Sequence, residues 1–172
     1  MRKHWHFIIL VMLGFAGVCR SEPTDTFGIY LTAEPVDARN LVDGSGDWLQ
    51  VKLQPTPIIS EADILAYDFK NHSLSLKPGA LAGVVKRLPS ISVWGIPFIF
   101  VVDGERIYVG AFMSPVSSAS MPAPCIMVWP TNIPPDTLQI DRAYPGPSFG
   151  VGPDPRSDKR ILQVLIILDK LK

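Results

Sequence analysis

The sequence predicts an α+β fold: a small, mainly antiparallel sheet around a central Asp-Gly hairpin, two or three helices on one face, and a proline-rich C-terminal extension. Three observations carry this. In Trp94 to Phe112 (WGIPFIFVVDGERIYVGAF) two apolar half-segments meet at Asp103-Gly104. That dipeptide favours a two-residue hairpin turn, because both central residues must take positive φ. Apolar residues recur at helical spacing in Leu81, Val84, Val85 and Leu88, and again in Ile161, Val164, Leu165 and Leu168. Ten of the 17 prolines fall between Pro115 and Pro155, which leaves room there for short strands only.

The first 21 residues read as an export signal. Arg2, Lys3, His4 and His6 precede an apolar run from Phe7 to Val18, too short to span a bilayer but long enough for a signal core. Cys19 sits where a lipoprotein signal is cut and acylated. Val18 stands where that motif wants a small residue, which favours plain cleavage over a lipid anchor. No later stretch predicts a membrane span. The expected location is extracytoplasmic: periplasmic, secreted or anchored to the envelope.

Without residues 1–21 the chain keeps 13 basic and 16 acidic residues, a net charge of about −3. There is no basic stripe, which argues against nucleic acid as a partner. Only Cys125 remains of the two cysteines, so no internal disulfide can form and the fold must stand on its core. Residues 22–172 are enough for a single domain.

Taken in order, Phe27 to Ala33 (FGIYLTA) predicts a first strand and Arg39 to Asp47 a polar loop. Trp48 to Gln54 (WLQVKLQ) predicts a half-buried strand, with Leu49, Val51 and Leu53 on its dry face. Ser60-Glu61-Ala62-Asp63 has the form of a capping box and predicts a short helix over Glu61 to Ala66. His72 to Lys77 predicts another half-buried strand, and Pro78 opens a helix that Pro89 ends. In the hairpin, a tight turn pairs Val102 with Glu105, Phe100 with Ile107 and Phe98 with Val109. Phe98, Phe100, Ile107 and Val109 then share one face, opposite Ile99, Val101, Arg106 and Tyr108. The proline-rich region, 113–155, holds two short strands, Cys125 to Trp129 and Thr137 to Asp141. Asp154-Pro155 opens a helix over 155–171 whose apolar arc Ile166 and Ile167 widen.

Residues 57–127 resemble the extracytoplasmic head region of SecD-type preprotein translocase subunits. The matching pieces are Pro57 to Ile64 (PIISEADI), Ser73 to Ala80 (SLSLKPGA) and Gly95 to Gly104 (GIPFIFVVDG), in that order. The resemblance implies a head-like α+β fold and contact with extended polypeptide. The chain departs from the family in having no membrane spans after its signal and none of the family's intramembrane acidic residues, so no translocation motor is implied.

Candidate chemistry is sparse. Asp43-Gly44-Ser45-Gly46-Asp47 begins like a calcium loop, but Trp48 and Gln54 stand where the glycine and the bidentate acid belong. His72 is the single histidine beyond the signal; an acid–base site would need it, with Asp68, yet its place in a turn predicts a solvated side chain. One histidine and one cysteine cannot make an ordinary zinc site, and no Gly-x-Ser-x-Gly elbow exists. No catalytic, metal or cofactor residues are therefore assigned. Ser114 to Ser120 (SPVSSAS) reads as a loop. Trp94, Tyr108 and Trp129 are the candidates for a partner surface, since aromatic anchors dominate interfaces. The expectation is a non-enzymatic exported binding or accessory protein of the bacterial envelope, with a protein or peptide partner. The alternatives are an extracytoplasmic hydrolase using an acidic pair such as Asp63 and Asp68, and a structural envelope protein.

Overall fold

The structure, a computed structural model, describes residues 25–43, 46–128 and 135–172. Eight strands form it: β1 (Phe27–Leu31), β2 (Ile59–Ser60), β3 (Ile64–Asp68), β4 (Ser73–Leu76), β5 (Ile96–Val102), β6 (Glu105–Met113), β7 (Cys125–Met127) and β8 (Thr137–Asp141). Three α-helices join them: α1 (Ala38–Val42), α2 (Ala80–Arg87) and α3 (Lys159–Ile167). The strand order is β2-β1-β5-β6-β7-β8-β4-β3, and every ladder is antiparallel except β6 with β7. This is the α+β, mainly antiparallel architecture that the sequence predicts. The proline-rich stretch contributes two interior strands, β7 and β8.

The two end strands of that order, β2 and β3, are joined by only Glu61–Asp63. Eight strands at about 4.8 Å spacing would lie some 34 Å across if flat. A three-residue 3₁₀ turn reaches about 6 Å. The sheet must therefore curl until its edges stand one turn apart. β8 turns the corner, pairing β4 through Thr137–Gln139 and β7 through Ile140–Asp141.

Curling gives the sheet an inside. Phe27, Ile29, Phe98, Phe100, Phe112, Ile126, Leu138, Ile140, Leu74 and Tyr67 point into one core, which Val84 of α2 and Ile161, Val164 and Leu165 of α3 fill. The outer face of β1, β5 and β6 is covered too: Tyr30, Ile99, Val101 and Val109 pack with Leu41 of α1. Two helices thus share the inner face and the third takes the outer one. β5 is buried along its whole length.

Asp103 and Gly104 have φ of 48° and 76°, as the type I′ turn requires. The expected hairpin register is overturned beyond the first pairs. Val102 faces Glu105 and Val101 faces Arg106, but a β-bulge follows, so Phe100 pairs with Tyr108, Ile99 with Val109 and Phe98 with Gly110. Ile107 is the extra residue. The slip brings Tyr108 to the inside, where its ring stacks on Phe100 at 4.8 Å, and sends Val109 to the outer face.

Other expectations shift. The loop over Arg39 to Asp47 contains α1, whose start Asp37 caps by accepting from Arg39 N–H at 3.0 Å. Trp48 to Gln54 is not a strand. It makes one bridge, Leu53 to Thr32, and Arg106 donates to the carbonyls of Trp48 and Val51 at 2.6 and 2.7 Å. The capping box is present, with Asp63 accepting from the N–H and the hydroxyl of Ser60, but the helix is the single 3₁₀ turn Glu61–Asp63 and Ile64 begins a strand. Asp154 caps only a 3₁₀ turn, Pro155–Ser157; Asp158 caps α3. α3 ends in a Schellman arrangement, with Lys170 N–H on Leu165 C=O, Asp169 N–H on Ile166 C=O and Asp169 at φ 53°.

Candidate functional site

The nine residues of β6 pair with β5 nearly throughout, whereas β7 covers only Ala111 to Met113 on the other side. Antiparallel strands point successive residues' hydrogen-bonding groups to opposite sides. Ala111 donates its N–H to Pro124 C=O and Met113 C=O accepts from Val128 N–H, so the odd residues of this stretch face β7. Val109, two residues earlier, must turn its N–H and C=O the same way. No backbone bond of Val109 on that side occurs among the described residues. The edge opens instead onto a groove of about 460 Å³, walled by Trp48, Ile107, Pro122, Val151, Pro153 and Pro155.

Gly110, the next residue of β6, lies against Pro124. A side chain there would run into the Phe98 ring and would meet Pro124 C=O at 2.5 Å, so only glycine allows the two segments to meet. The far wall is proline-rich and cannot donate hydrogen bonds from those positions. Arg142 and Asp43 bring charge to an otherwise apolar lining. Arg142 donates to Gly152 C=O at 2.8 Å and takes part in none of the ion pairs among the described residues.

Behind the groove lies a partly buried polar cluster that sequence reasoning missed. Arg156 holds Asp154 through two bonds, 2.9 and 2.5 Å, and donates to Ile140 C=O at 2.6 Å. This pairing draws the Asp154 carboxyl below its ordinary range. His72 is 8 % exposed, against the expected solvated turn residue; its Nδ1 lies 3.3 Å from Tyr67 Oη and the Phe69 ring stands edge-on to it. Burial, then the Arg156 charge, lower its pKa. The Tyr108 hydroxyl is buried without a hydrogen-bond partner among the described residues, and burial raises its pKa well above the ordinary value. The signal for this cluster was the Asp154-Pro155-Arg156 turn, but nothing local in the sequence tells that it folds over β3 and β8.

Of the predicted partner residues, Tyr108 borders the groove with its ring in the core, 4 % exposed. Trp94 lies at the turn before β5 and is half-buried, with the Arg39 guanidinium 4.9 Å from its ring centre. Trp129 and Cys19 fall outside the described residues, as do Gly44 and Ser45 of the calcium-like loop. In that loop Asp47 accepts from Leu49 N–H, and no three-residue metal-ligating group occurs among the described residues. Ser117 of the serine-rich loop is buried and donates to Val93 C=O. Asp68 accepts from the N–H groups of Lys70 and Asn71 and from the Asn71 side chain, while Asp63 is engaged by Ser60. Cys125 is buried and its thiol is pushed up to about 12, chiefly by burial.

A larger cleft, about 550 Å³, lies between Thr32–Asp37 and Gly95–Pro97. Its polar groups are largely committed: Arg87 to the carbonyls of Pro57 and Ile58, Asp37 to α1, and Thr32 to Glu34 C=O. No described helix is long and apolar enough to cross a membrane. The chain matches no protein-family model, no curated protein and no solved structure.

Proposed function

We propose that this chain is an exported, non-enzymatic binding or accessory protein of the bacterial envelope that holds extended polypeptide in the groove beside β6. One observation carries the reading: β6, a long strand inside the sheet, is paired with β5 at Val109 but has no strand beside that residue on its β7 side, where it borders an apolar groove. The charged apolar leader supplies the compartment, and the resemblance to the SecD-type head supplies extended polypeptide as the partner class. Cys19 is the position for a lipid anchor if one is added. The hydrolase alternative is weakened by the use of Asp63 and Asp68 as backbone caps. A structural envelope protein is the remaining alternative, and it has no need of an open strand edge.

A photo-cross-linking residue at Val151, which borders the groove and is 77 % exposed, tests the reading in intact cells. The control is the same residue at Val116, exposed on the loop before β7. Polypeptide adducts at Val151 and not at Val116 are expected. Equal adducts at both positions, or none, would overturn it. Intact mass of the exported species reports removal of residues 1 to about 21, and a gain of several hundred daltons at Cys19 would reveal acylation.

A further inference from the structure

We infer that the groove binds its polypeptide as an added β-strand, paired to the N–H and C=O of Val109, and that Arg142 selects a segment carrying a carboxylate. This rests on the binding role proposed above and specifies its mode. The fold closes both end strands of its sheet. At one end of the sheet, β3 is covered by residues 170–172: Tyr67 N–H donates to Lys170 C=O at 2.7 Å and Lys172 N–H to Tyr67 C=O at 3.0 Å. At the other end, β2 is two residues long, the Ser60 N–H is taken by Asp63, and Arg87 occupies Ile58 C=O at 2.6 Å. Blocked ends are how sheets avoid pairing with other chains. β6 is the exception. Its open edge continues the line of β7, so a strand laid there extends a ladder that already exists.

The groups on offer define the ligand. A main-chain donor and acceptor on one residue, facing an apolar groove, are satisfied together by the backbone of an extended peptide. The prolines opposite offer that strand no N–H donor. Apolar side chains at alternate positions meet Ile107 and Pro122. Arg142 keeps donors free beyond its bond to Gly152, and a carboxylate on the peptide complements it.

The probe is a set of short fluorescein-labelled peptides of alternating valine and threonine, with one glutamate placed at each central position in turn. Anisotropy should show saturable binding for at least one register, and hydrogen exchange should show new protection at the Val109 amide. N-methylation of the alternate residues that face β6 should abolish binding, because it removes the donors without touching the protein. Replacing the glutamate by glutamine should weaken binding about tenfold, and Arg142→Gln should weaken only the glutamate peptide. Equal binding of the N-methylated peptide, or no binding in any register, would overturn strand addition. Concentration-dependent protection of Val109 without peptide would assign the edge to a second copy of the chain and overturn it as well. If Val151 cross-links to polypeptide and the peptides fail, the mode falls and the binding role stands; if Val151 gives no adducts, the role itself falls.

Discussion

Tyr108 buries a hydroxyl with no partner among the described residues, while its ring packs against Phe98 and Phe100. An unsatisfied buried hydroxyl costs about 1 to 3 kcal/mol, while the ring keeps its stacking on Phe100. Tyr108→Phe should therefore raise the melting temperature, and a lowered midpoint would show that the hydroxyl is satisfied. His72 has a depressed pKa, so the folded state favours the neutral ring and the unfolded state binds the proton more readily. The groups facing it are Tyr67, Asp68, Asp154 and Arg156; the two carboxylates oppose the shift without reversing it. Its contribution to stability is complete above about pH 6.5 and is lost as pH falls below that value. Asp141, raised by burial, acts in the opposite sense. Thermal melts between about pH 7 and 5.5 should fall with pH in the native chain and flatten in His72→Asn, which also tolerates the position's φ of 53°. None of this was legible in the sequence, because His72 meets the rings of Phe69 and Tyr67 and feels the charges of Asp154 and Arg156 from a distant segment of the chain.

The hairpin turn, the capping box and the strands β4 and β8 were legible because each is set by residues in contact along the chain. Gly104→Val would force a β-branched residue to φ 76°, at roughly 1 to 3 kcal/mol, read as a lower melting midpoint. The bulge at Ile107 was not legible: alternation runs equally well in either register until packing decides which residue meets Phe100. α1 was hidden by its length of five residues and the two apolar side chains it buries, Ala38 and Leu41. Trp48 to Gln54 alternates like a strand, yet the guanidinium of Arg106 takes its carbonyls before a neighbouring strand can. α2 shows the same long reach. Its left-handed Gly79 cannot cap it, and the carboxylate of Asp136 accepts from Gly79 and Leu81 N–H instead. Asp136→Ala should cost about 0.5 to 2 kcal/mol in denaturant titrations. No change would mean that water replaces the cap.

For the whole molecule, α3 closes the curled sheet. Ile161, Val164 and Leu165 are fully buried, each contributing about 1.5 to 3 kcal/mol before entropy is counted, against a net stability of about 5 to 15 kcal/mol for a domain. Truncation after Asp154 also removes Arg156 and its bond to β8. The shortened chain should unfold or aggregate; a monomer with an unchanged melting temperature would show α3 to be dispensable. The sequence alone determined the class of fold, the Asp-Gly turn and the apolar stripes of the helices, since these depend on backbone preference and periodicity over a few residues. Tertiary structure alone decided the curl, the polar cluster around His72 and the open edge of β6. Each depends on strands and loops distant in sequence, and on where β7 stops short of β6, which no local pattern records.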